Sequence, residues 1–107
     1  MFTLTAQDIN AAAEYLFIEL NKEGWSSAHT SAELFDQKDK CRKITEWAAD
    51  ELHYYNGDNP RRHLRQMARD NKKLRKDIEG EGKFKFVWWG ILISAAIQIL
   101  IRLWFDK

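Results

Sequence analysis

The feature that most restricts what this chain can fold into is the run Phe86–Phe105, FVWWGILISAAIQILIRLWF, which is apolar almost end to end. At 1.5 Å per residue, a helix of this length measures about 30 Å, the thickness of a bilayer's hydrocarbon core. Its eleven Phe, Val, Ile and Leu residues favour insertion by about 3–7 kcal/mol, and Arg102 opposes it by up to about 3.5 kcal/mol if held at mid-membrane. Because Arg102 lies one turn from the end of the run, its guanidinium reaches the headgroups by snorkelling. Trp88 and Trp89 at one end and Trp104 at the other stand where interfacial anchors stand. The run therefore predicts a C-terminal, single-pass transmembrane helix. An interfacial helix and a buried core helix are the alternatives for a segment of this kind.

Within the run, Gly90, Ser94, Gln98 and Arg102 recur every four residues and wind slowly down one side of a helix. Small residues at Gly90 and Ser94 permit close helix approach, and Gln98 carries a hydrogen-bonding amide. The stripe is a candidate for self-association in the membrane, or for the lining of a lesion. A segment of tolerable polarity facing lipid is the plainer alternative.

The rest of the chain is polar, which is why mean hydropathy is −0.56 in spite of that segment. Net charge is +1, but it is divided unevenly. Residues 1–60 hold five Lys/Arg against eleven Asp/Glu, a net −6, and residues 61–107 hold twelve against five, a net +7. Such asymmetry marks a surface that meets anions. One cysteine, Cys41, excludes an internal disulfide and fits a reducing compartment. The start MFTLTAQD shows no basic region followed by an apolar core, so no signal peptide is expected.

The pattern upstream of the apolar run is helical throughout, so the fold class expected is all-α. A capping box, Thr5-Ala6-Gln7-Asp8, flanked by a Leu4/Ile9 staple, opens a first helix over about 6–22. Thr30-Ser31-Ala32-Glu33 opens a second over about 31–55, with a break conceivable in the all-polar stretch 37–40. Together these form an acidic N-terminal hairpin, residues 1–58, or two thirds of a three-helix domain. Asn56 to Pro60 is turn chemistry, and Asn59-Pro60 is an N-cap and first-turn pair for a third helix.

That third helix, residues 59–79, carries Leu64, Met67, Asn71, Leu74 and Ile78 at alternating spacings of three and four. This is a heptad seam with Asn71 at an a-type position, an oligomerisation candidate whose alternative is packing on the hairpin. Gly80 and Gly82 then mark residues 80–85 as a juxtamembrane hinge before the helix at 86–105. Arg61, Arg62, Arg65, Arg69, Lys72, Lys73, Arg75, Lys76, Lys83 and Lys85 crowd the segment before the apolar run, and only Asp106 and Lys107 follow it. By the positive-inside rule the N-terminal part faces the cytoplasm, across an inner membrane if the cell is bacterial. The same patch attracts anionic headgroups.

No chemistry-bearing motif stands out. The histidines are scattered, Cys41 has no partner at metal-ligand spacing, and Asp50/His53 is a common surface spacing. No catalytic, cofactor-binding or metal residues are assigned, and an enzyme is not expected. The reading is a non-enzymatic, tail-anchored adaptor or scaffold that oligomerises and presents a cytosolic helical domain to a protein partner. A holin-like or toxin-like permeabilising protein is the alternative, and a basic helix binding nucleic acid is a further one.

Overall fold

The structure, a computed structural model, describes residues 4–22, 31–79 and 86–106, all in helices or their connections. In order these are α1 (Ala6–Leu20), α2 (Ser31–Tyr54), α3 (Pro60–Asp70), α4 (Lys72–Glu79) and α5 (Phe86–Asp106), with no strand among the described residues. The all-α expectation holds. The radius of gyration, 13.4 Å, is that of a single packed domain of this length.

Each element begins where its local chemistry dictates. The Thr5 hydroxyl accepts the Asp8 N–H and the Asp8 carboxylate accepts the Thr5 N–H, both at 3.1 Å. The short acid thus closes the capping box, satisfying two groups that a bare helix end leaves open. Leu4 and Ile9 both pack against the core, as a hydrophobic staple requires. After Leu20 the chain makes a π turn at Asn21 and Lys22. The Gly24 stop, the Trp25–His29 connector, the Thr30 cap and the 80–85 hinge lie outside the described residues.

Helix α2 is unbroken through 37–40. Three ion pairs at i,i+4 lace its outer face: Asp36–Lys40 at 2.7 Å, Asp39–Lys43 at 3.1 Å and Arg42–Glu46 at 3.0 Å. Such pairs contribute about 0.3–0.5 kcal/mol each, enough to keep a polar stretch helical. Its inner face is Cys41, Ile44, Ala48 and Leu52, all fully buried. Thr45 is buried among them, and its hydroxyl donates to the Cys41 carbonyl at 2.7 Å, as a buried hydroxyl requires. Burial pushes the Cys41 thiol up to about 12.

The apolar run forms the expected helix, but not in the expected surroundings. Helix α5 packs against α1, α2 and α3 at once, and Trp89, Leu92, Ile93, Ala96, Ile97, Leu100 and Ile101 are buried in one cluster with Leu16, Leu20, Ile44, Leu52 and Leu64. It lies antiparallel to α1: Ala12 and Tyr15 sit beside Ile99 and Leu103, and Leu20 beside Ile91. Among the described residues no helix is long and apolar enough to cross a membrane. The transmembrane expectation is corrected accordingly, and the physical reason is visible in the exposure pattern. Among the positions of the helix from 89 to 105, the exposed ones are Gly90, Ser94, Gln98 and Arg102, together with Phe105, so the four-residue stripe is the solvent-facing side of a central core helix. Burying the five Leu and Ile side chains against α1, α2 and α3 is worth about 7–15 kcal/mol before chain entropy. Trp89 is a core residue rather than an interfacial anchor, and Trp104 is half-buried against Phe105.

The third helix is also corrected. In place of one heptad helix over 59–79 there are two, separated at Asn71, whose backbone leaves the helical region (φ −92°, ψ 80°). Asn71 ends α3 and its side-chain oxygen accepts the Leu74 N–H at 2.9 Å, opening α4. A short amide that competes with the backbone favours such a cap over a helix interior. The seam residues face the bundle: Leu64 and Ile78 are fully buried, Met67, Asn71 and Leu74 half-buried, with Leu74 against the core. The seam is used within this one chain.

Candidate functional site

Helix α3 owes its position to both of its ends. The Asn59 side chain caps it, accepting the Arg62 N–H at 3.1 Å, and Pro60 occupies the first turn, where its missing N–H is not needed. Pro60, Leu64 and Ala68 are buried at four-residue spacing, which fixes the rotation of the helix about its axis. The rest of the surface follows from that. Arg61, Arg62, Arg65, Gln66, Arg69 and Asp70 are all exposed, and with Asn59 they line an open groove of about 580 Å³.

The arginines of this groove are not paired with carboxylates of the described residues. No ion pair among the described residues involves Arg61, Arg62, Arg65 or Arg69, whereas Lys40, Arg42 and Lys43 on α2 each hold a carboxylate. Spacing explains the contrast. Four residues from each of Lys40, Arg42 and Lys43 stands an acid; four residues from Arg61 stands Arg65, and four from Arg65 stands Arg69. Like charges at i,i+4 destabilise a helix by about 0.2–0.5 kcal/mol per pair. A short helix bearing two such pairs gains nothing from them internally. Asp70 also lines the groove and offsets one charge of the four.

Behind the groove, α2 and α3 are joined by a polar clasp. The Tyr55 ring stacks on His63 (centroids 4.4 Å apart), and its hydroxyl accepts the Asn59 N–H at 3.0 Å. His63 Nε2 stands 3.5 Å from a Glu51 carboxylate oxygen. The ring also packs where a Cβ on Gly57 would lie, so the glycine is required by close approach. Glu51, Tyr55 and His63 carried no signal in the sequence as a group, because a histidine eight residues past a tyrosine forms no spacing motif. The Asn56–Pro60 turn was the available clue, since it folds His63 back over the end of α2.

The structure treats the other sequence candidates unequally. Lys72, Lys73 and Lys76 are exposed on α4 and Arg75 is half-buried, so α4 continues the basic surface at a new angle past Asn71. Lys83 and Lys85 lie outside the described residues, as does the side chain of Trp88. The stripe Gly90, Ser94, Gln98 and Arg102 is at the surface, beside α1 and away from the arginine groove. No group of three or more His, Cys, Asp or Glu side chains is placed to hold a metal ion among the described residues. No protein-family model, no curated protein and no solved structure matches this chain.

Proposed function

We propose that this protein is a non-enzymatic helical adaptor whose α3 groove holds a polyanionic partner. The observation that carries the reading is the set of four arginines, Arg61, Arg62, Arg65 and Arg69, exposed on one helix without a carboxylate partner among the described residues. Guanidinium forks match carboxylate and phosphate oxygens bidentately, and the repulsion within α3 is relieved when an anion fills the groove. Residues 1–60 carry a net −6 and residues 61–107 a net +7, and a charge division of this kind orients an encounter with an anion.

What speaks against a membrane-anchored form is that α5 would have to leave the bundle, uncovering Leu16, Ile44, Leu52 and Leu64 together. The permeabilising alternative needs the same release. The test of the proposal is retention on a heparin matrix over a salt gradient. The native chain should be retained and Arg65→Glu/Arg69→Glu should pass through near the void. Equal elution of the two proteins would refute the assignment of the groove.

A further inference from the structure

The α3 groove also says what kind of polyanion it suits, an inference that rests on the polyanion reading above. We infer that its partner is the phosphodiester backbone of a double-stranded nucleic acid, held without regard to sequence.

The chemistry of the face narrows the choice. An adaptor surface for a protein needs apolar or aromatic anchors that desolvate at its centre, and the groove offers arginine, asparagine, glutamine and one aspartate. The large apolar side chains left exposed among the described residues, such as Tyr15, Ile18, Phe35, Tyr54 and Phe105, belong to α1, α2 and the end of α5, not to α3. A membrane-surface helix needs an apolar face directed at lipid, and the apolar face of α3, Leu64 and Ala68, is buried inside the domain. Single-stranded nucleic acid is bound by stacking its bases on aromatic rings, and none lines the groove. Backbone contact to a duplex requires none of these. It uses Arg together with neutral amide donors such as Gln66.

The geometry agrees with a linear ligand. Arg61, Arg65 and Arg69 are each separated by about 6 Å of helix rise, so the column is about 12 Å long. One strand of a duplex carries a phosphate per about 3.4 Å of axis, so three to four phosphates face the column. Past the turn at Asn71 the exposed Lys72, Lys73 and Lys76 of α4 change direction, as a surface that follows a curving strand does.

The experiment is fluorescence anisotropy of a labelled 20-base-pair duplex titrated with the full chain from 50 to 200 mM salt. Two unrelated duplex sequences are used, with Arg65→Gln and Arg65→Gln/Arg69→Gln as variants. Four phosphate contacts give a slope of log affinity against log salt of about −3.6, which weakens binding about a hundredfold over that range. Both duplexes should bind equally, and each lost arginine should lower the slope by about 1. Polyglutamate and phosphatidylserine vesicles serve as competing anions. Binding of polyglutamate or vesicles with none of duplex overturns the nucleic-acid assignment and leaves the polyanion site standing. Duplex binding that is unchanged in both glutamine variants overturns the groove itself, as does the absence of binding to all three anions. Far-UV circular dichroism of the variants establishes that these exposed substitutions leave the fold intact.

Discussion

The ring of Tyr55 lies on the imidazole of His63 at 4.4 Å, with 19° between their planes, and this contact fixes the angle at which α3 leaves α2. Because the Tyr55 hydroxyl also accepts the Asn59 N–H, the residue that caps α3 is held by the end of α2. Tyr55→Phe keeps the stack and loses the hydrogen bond. We expect it to lower stability by about 0.5–1.5 kcal/mol, with Tyr55→Ala costing more. Urea unfolding followed by circular dichroism measures both; equal values would mean that the ring contributes nothing.

Asn71 separates two accounts of the basic segment. As the cap that opens α4, its replacement by leucine removes a hydrogen-bonded start, and we expect a loss of about 1 kcal/mol. At the a position of a coiled coil, the same substitution would raise stability and change the oligomeric state, because buried Asn is tolerated there only for register. Thermal melting at two protein concentrations tells these apart.

Gly90 has nothing within 4 Å of the position a Cβ would take. It sits inside α5 with favourable helical geometry, so Gly90→Ala is expected to stabilise the protein by about 0.5–1 kcal/mol. A stripe used for close helix–helix approach would give the opposite sign, since a methyl group would wedge the pair apart.

Cys41 is buried, and its thiol is pushed up to about 12 by desolvation. At pH 8 about one molecule in 10⁴ then carries the reactive thiolate, so alkylation of the native protein should be slow and should accelerate on unfolding. The sign of the pH dependence follows from the same shift. Above about pH 9 the unfolded thiol releases its proton while the folded one keeps it. The unfolded state therefore binds fewer protons, and stability falls by up to about 1.4 kcal/mol per pH unit until the folded thiol itself ionises near 12. Cys41→Ser should remove this alkaline component.

How much of this was legible in the sequence varies with the range of the interaction involved. Thr5, Asp8, Asn59 and Pro60 act on backbone within a turn of themselves, and their roles follow from spacing alone. The polar stretch 37–40 remained ambiguous until its acids and bases were paired across a helical turn. Asn71 was read for its heptad position, and the competing local capping preference decided its role. For Phe86–Phe105 the difficulty is of another kind. A bilayer and a protein core are both apolar solvents, so twenty apolar residues are compatible with either, and only the partners contributed by α1, α2 and α3 distinguish them. The arginines of α3 were visible as a charge run; that they remain unpaired in a groove depends on the burial of Leu64 and Ala68, which sets the rotation of their helix.

The central claim is that α5 is the core of this domain and not an appendage to it. Leu100 is fully buried, and Leu100→Ala measured by urea unfolding in detergent-free buffer tests that claim most directly. The expected result is a loss of about 2–5 kcal/mol in a single cooperative transition that includes α1 and α2. An unchanged midpoint, with the rest of the chain unfolding as it does in the native protein, would contradict it and return the helix to the membrane.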